Sequence, residues 1–233
     1  MRIDKYITNS TRFSRKEIKT YFKKGQVRVD GQVVTDIGMH IDEENAQVYL
    51  AGEKIEYSRF TYLMLNKPSG YISATFDKKY PVVTELVPEE FKHIELFPVG
   101  RLDIDTVGLL VLTNDGDLAH RLLTPKSHVP KTYFVRGRYP LSDEAVSLFE
   151  NGVELEDFVT IPAKVKKLTD TEALLTIYEG KYHQVKRMYE KAGNEVIYLK
   201  RVAMGALELD ESLEEGEMRP LTEKEVKLME TYE

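Results

Sequence analysis

The chain has no cysteine, so it can build neither a disulfide framework nor a thiolate metal site, and a reducing compartment suits it. No apolar run approaches the roughly 18 residues of a membrane span, and the opening MRIDKYITNS lacks the apolar core of a signal peptide. A cytoplasmic protein with no membrane partner is expected. The five histidines fall in no HExxH or paired-ligand spacing, and neither a P-loop nor a GxGxxG follows a strand pattern. The NDGD of residues 114–117 lacks the rest of a calcium loop and reads as a turn leading into a helix cap. No metal and no cofactor are therefore expected. Internal repeats and low-complexity tracts are also missing.

What is present is enough for a large core. A chain of 233 residues suits one large domain or two unequal ones. The formal net charge of −6 argues against a polyanion partner until it is mapped along the chain. Residues 1–30 hold nine basic side chains (Arg2, Lys5, Arg12, Arg15, Lys16, Lys19, Lys23, Lys24 and Arg28) against three acidic ones, a local net of +6 that leaves −12 for the remainder. Such polarity points the N-terminal segment at a polyanion, while the rest keeps the molecule soluble. The acidic stretch around Glu208–Glu217 is most simply a solvated surface.

Ser14 and Glu17 have capping-box spacing, and Gly25 is placed to close the helix they begin. Ile18, Tyr21 and Phe22 give that helix an apolar face, with Lys16, Lys19 and Lys23 grouped away from it. Asp30-Gly31 between alternating apolar residues reads as a hairpin turn, and QVYL and KIEY pair around Ala51-Gly52. From about Phe60 a second pattern follows. FTYLMLNKPSGYIS is a strand entering a Pro-Gly turn, and GRLDIDT runs into the strand LLVLT. Asn114-Asp115-Gly116 turns into a short helix with Leu118, Leu122 and Leu123. KTYFVRG, ALLTIYEG and NEVIYLKRVAMGALEL read as strands; SDEAVSLFENG, HQVKRMYEKAG and TEKEVKLMETY read as helices, capped by Ser142, closed by Gly193, and capped by Thr222 with Glu225 respectively. Adjacent strands without regular helix-strand alternation predict an α+β fold around a mixed, mainly antiparallel sheet. The expected domains are residues 1–58, a small helix-plus-hairpin module, and 59–233.

The most informative stretch is GRLDIDTVGLLVLTNDG, residues 100–116. In an extended backbone Arg101 and Asp103, two apart, project to one face just ahead of the apolar run Val107–Leu112. An isolated Asp near an Arg is ordinarily a surface ion pair or a turn residue. The pair Asp103 and Asp105 makes a poor double-carboxylate site if the stretch is extended, because alternate side chains on each face leave no carboxylates opposed across one bond.

This stretch resembles the catalytic motif of the pseudouridine synthases, and the GLLVLTNDG continuation looks like the branch that modifies ribosomal RNA. The opening RIDKYI and SRKEIKTYFKKGQVRVDGQVV resemble the small RNA-binding domain named after the fourth small-subunit ribosomal protein. The resemblance implies that Asp103 is the essential catalytic residue, leaving open whether it attacks the sugar or abstracts a sugar proton. It implies that Tyr133 stacks on the target base, that Lys186 pairs with Asp103 where many relatives have arginine, and that Leu199 packs on the floor of the site. Lys200 and Arg201 would approach the RNA backbone. LNKPSGYIS, with Lys67, Pro68 and Gly70, would be a structural turn supporting the site.

Because a uridine in folded RNA is stacked or paired, it must be extruded into a pocket. Arg101 is the candidate to fill the vacated stack or to hold a neighbouring phosphate. Arg12, Arg15, Lys16, Lys19, Lys23, Lys24 and Arg28 would bind RNA phosphates. The function expected is isomerisation of a uridine in small-subunit ribosomal RNA, with that RNA or the assembling small subunit as partner and nothing demanding more than a monomer. The alternatives are a synthase for large-subunit RNA and a non-catalytic ribosome-assembly factor.

Overall fold

The computed structural model describes residues 1–11, 13–55, 57 and 59–231. Arg12, among the expected RNA-binding residues, lies outside the described residues. The chain divides into two compact units, Met1–Thr61 with Val87–Glu95, and Tyr62–Leu86 with Leu96–Glu233. The nine residues 87–95, which carry a short 3-10 turn at Glu89–Phe91, are thus grouped with the first unit from the middle of the sequence of the second. No helix among the described residues is long and apolar enough to cross a membrane.

The first unit holds α1 (Ile3–Ser10), α2 (Arg15–Lys23) and a four-stranded antiparallel sheet of β1 (Val27–Val29), β2 (Gln32–Val33), β3 (Val48–Leu50) and β4 (Glu53–Ile55), in the order β2-β1-β3-β4. The capping box at Ser14 and Glu17 is formed, with both reciprocal hydrogen bonds in place. Asp30-Gly31 and Ala51-Gly52 each have positive φ at both positions, the turn geometry whose twist matches that of the strands it joins. Helix α1 is not signalled in the sequence, because Arg2 stands at its N-cap and makes no side-chain cap. Packing holds it instead: Ile3, Tyr6 and Ile7 join Ile18, Phe22, Val27 and Val48 in one buried cluster. That leaves Arg15, Lys16, Lys19, Lys23, Lys24 and Arg28 exposed.

The second unit is built on a sheet of nine strands among the described residues. In chain order its elements are β5 (Tyr62–Lys67), β6 (Phe97–Pro98), β7 (Val107–Thr113), α3 (Gly116–Leu123), β8 (Lys131–Gly137), α4 (Asp143–Asn151), β9 (Lys164–Lys167), β10 (Glu172–Ile177), α5 (Gln184–Lys191), β11 (Val196–Met204), β12 (Leu207–Glu208), β13 (Met218–Pro220) and α6 (Glu223–Glu230). The order is β13-β5-β7-β11-β8-β10-β9, with β12 beside β11 and β6 beside β7. Among the paired strands of the described residues only β7 and β11 run parallel, so the fold is α+β around a mixed, mainly antiparallel sheet. Every residue of β7 is buried, as a central strand covered on both faces requires. Gly108 is what lets β11 lie against it: a Cβ there would sit 2.3 Å from the Arg201 carbonyl oxygen, and its φ of +100° is costly for any other residue.

Candidate active site

Asp103 lies in the loop that leads from β6 into β7, outside any strand. The loop is held in place by the segment just after β5. Lys67 ends that strand fully buried, at 0% exposure, and its ammonium donates to the carbonyls of Pro68 (3.1 Å), Asp103 (3.1 Å), Ile104 (3.4 Å) and Thr106 (2.8 Å). Three ammonium hydrogens thus serve four acceptors, three of them in the turn that carries the carboxylate. The Gly70 amide donates to the Ile104 carbonyl at 2.8 Å. Ser73 Oγ accepts from the Leu102 amide at 3.0 Å and donates to the Leu102 carbonyl at 3.2 Å. The whole LNKPSGYIS segment therefore acts as a frame for residues 102–106. Burial pushes the Lys67 ammonium down to about 8, against the attraction of Asp105 and Asp103.

The Asp103 side chain is 27% exposed, with Lys186 Nζ 3.1 Å from Oδ2 and His183 Nε2 3.6 Å from Oδ1. Lys186 also donates to Asp105 Oδ1 at 2.6 Å. The loop is not extended here, and both carboxylates converge on one ammonium, side by side rather than opposed across a cleft. Burial alone would lower the affinity of Lys186 for its proton, but hydrogen bonds to Asp105 and Asp103 outweigh it and raise the pKa above the ordinary lysine range. A lysine so held stays cationic and keeps negative charge concentrated in front of it.

Asp103 opens on a cleft lined by Arg101, Leu102, Thr106, Tyr133, Ile177, Lys186 and Leu199 among others. Register explains the convergence. Arg201 on β11 lies opposite Tyr133 on β8, which lies opposite Leu175 on β10, and Leu199 follows two residues before Arg201 on the same face. The sheet thus presents Tyr133 and Leu199 as an apolar floor, while Arg101 stands exposed at the edge. Burial raises the pKa of the Tyr133 hydroxyl and the Asp103 charge adds to it, with the Arg201 guanidinium opposing.

One expectation needs correction. Arg201 is only 2% exposed and donates from Nε to the Leu109 carbonyl at 2.8 Å, so it braces β7 and Tyr133 from inside rather than reaching an RNA backbone. Arg187, which could have been a solvated cation, pairs with Asp157 and lies over the Phe158 ring. Ser73 and Thr106 are parts of the site that residue pattern alone does not single out, and the buried contacts of Lys67 and Arg201 are not readable from it either. Thr106 Oγ1 and Arg201 Nη2 are buried with no hydrogen-bond partner among the described residues, and Thr106 lines the cleft.

Comparison with known proteins follows the same division of the chain. Residues 61–191 match the family model described as RNA pseudouridylate synthase, and residues 1–48 match that of the S4 domain. The chain is 49% identical over 234 residues to an uncharacterized RNA pseudouridine synthase of Bacillus subtilis, covering 98% of each. It is 40% identical over 228 residues to the ribosomal small subunit pseudouridine synthase A of Salmonella typhimurium, covering 97% of this chain and 98% of that one. A solved pseudouridylate synthase matches with a TM-score of 0.69 at 37% identity, covering 98% of this chain and 99% of the other.

Proposed function

The chain belongs to the RNA pseudouridylate synthase family, and from that membership we propose that it modifies small-subunit ribosomal RNA with Asp103 as its catalytic residue. The reaction turns uridine into pseudouridine: the bond from ribose to a base nitrogen breaks, the base rotates, and the sugar rejoins at a ring carbon. The proton lost from that carbon balances the one gained at the freed nitrogen, so the chemistry needs neither redox nor phosphate transfer. A carboxylate serves it by attacking the sugar or by taking a sugar proton while positive charge develops on the ribose.

The observation that carries the proposal is the Asp103 carboxylate, open to a cleft and 3.1 Å from the Lys186 ammonium. Extruding a base from RNA costs roughly a few kcal/mol. Stacking on Tyr133, with Leu199 as the floor, offsets that cost, and Arg101 fills the vacated stack or holds a neighbouring phosphate. Arg15, Lys16, Lys19, Lys23, Lys24 and Arg28, with Arg12, supply phosphate contacts from the first unit. The 40% identity to small-subunit synthases supports that target over large-subunit RNA. Asp103, Tyr133 and Lys186 around one cleft support an enzyme over a non-catalytic assembly factor. The reading carries with it a cytoplasmic monomer that meets ribosomal RNA free or in an assembling small subunit. Pseudouridine mapping in ribosomal RNA from cells with and without the gene tests it: loss of a small-subunit site is expected, whereas loss confined to the large subunit, or no loss, overturns it.

A further inference from the structure

Tyr182 and His183 stack on one another at the mouth of the cleft, with ring centroids 3.8 Å apart and planes 15° from parallel. The outer partner is the more unusual, since Tyr182 is 76% exposed, a large aromatic ring offered to solvent. The inner partner reaches the site, with His183 Nε2 3.6 Å from Asp103 Oδ1. His183 has φ +50° and ψ 29°, a left-handed conformation that non-glycine residues hold only where their surroundings enforce it.

Those surroundings are visible. Gln184 is buried; its side-chain oxygen accepts from the Lys181 amide at 3.1 Å, and its nitrogen donates to Glu179 at 2.9 Å, clamping the loop on both sides of the pair. The aromatic stack is thus built in advance rather than left to fold against the core. Exposed Lys181, which also lines the cleft, adds positive charge beside it.

An exposed ring, pre-stacked, next to cationic groups and continuous with the cleft, suits an unpaired base joined to a phosphate. We propose that the Tyr182–His183 stack is a docking platform for the unpaired RNA base next to the uridine that enters the cleft. This rests on the reading of the cleft as the uridine site. Tyr182 supplies the free ring face, His183 backs it from the cleft side, and Lys181 faces the adjoining phosphate. Binding of the neighbour then fixes the strand so that only the next nucleotide reaches the carboxylate.

Single-turnover assays on a small-subunit ribosomal RNA transcript test this. Tyr182→Ala is expected to raise the half-saturating enzyme concentration roughly fivefold to a hundredfold, the range for loss of one stacked base, with the plateau rate kept within about twofold; Tyr182→Phe should behave as wild type. Because the chain has no tryptophan, Tyr182→Trp installs a single indole whose fluorescence should be quenched by the transcript, while Tyr139→Trp, exposed elsewhere in the same unit, should not respond. An unquenched indole at position 182, or wild-type affinity in Tyr182→Ala, overturns the proposal. Wild-type affinity for the naked transcript with weakened turnover only on small-subunit particles would assign the pair to a protein contact and also overturn it. Failure of the uridine reading itself would show differently, as no pseudouridine from the wild-type protein.

Discussion

Lys67 decides where the Asp103 carboxylate sits, although it touches it only through the backbone. Its ammonium is shared among four carbonyls, three of them in the loop that carries the carboxylate. Lys67→Met should leave these acceptors unpartnered, at about 1–3 kcal/mol for an unsatisfied buried group, and loosen Asp103. The pH dependence has a definite sign. Folding depresses this lysine to about 8, so above that pH the unfolded chain binds the extra proton and stability gains from Lys67 as pH rises towards its unfolded value, by at most about 1.4 kcal/mol per pH unit. Urea unfolding should therefore show the wild-type advantage over Lys67→Met widening between pH 8 and pH 10; a constant or narrowing gap would refute the assignment. The pairing of Lys186 with Asp103, seen at 3.1 Å, was implied by the family resemblance and not by the residues alone. The resemblance implied a supporting turn at Lys67, Pro68 and Gly70, but not how Lys67 does it, because a lysine at a strand end ordinarily reads as surface and only tertiary contacts reveal four converging carbonyls. The left-handed His183 was equally hidden, since nothing local in YHQV demands it.

Among the elements, the parallel pair β7–β11 brings Leu199, Arg201 and, through β8, Tyr133 under the Asp103 loop. Gly108 sets that approach, and Gly108→Ala forces a Cβ onto the Arg201 backbone at a positive φ. The expected result is a loss on the order of 3 kcal/mol or more, in the upper range for point changes, seen as a lower thermal midpoint together with reduced pseudouridine formation. An unchanged midpoint would mean that the strands have room to spare. Elements with local signals could be read from the chain: the capping boxes at Ser14 and Thr222, the Asp30-Gly31 turn and the strand KTYFVRG all occur where their residues dictate. Elements that depend on a partner could not. Helix α1 lacks a capping side chain, β9 is the lysine-rich KVKK, and β13 is three residues ending in proline beside β5; each exists because of what it packs or pairs with.

At the scale of the molecule, charge is uneven along the chain, and that was legible from composition because residues 1–30 carry +6 while the rest carries −12. The grouping of 87–95 with the first unit was not, since no shift in pattern marks that segment. If exposed Lys16, Lys19 and Lys23 meet phosphates, RNA affinity should fall steeply with salt, and replacing all three by alanine should reduce the slope of log Kd against log salt by about 2 to 3. An unchanged slope would place the phosphate contacts elsewhere. The central claim, that one carboxylate framed by Lys67 and held by Lys186 performs the isomerisation, is tested most directly by Asp103→Asn. Pseudouridine formation on small-subunit ribosomal RNA transcripts and RNA affinity should be measured side by side. The account predicts no detectable product with binding close to wild type, and appreciable turnover by the asparagine variant would contradict it.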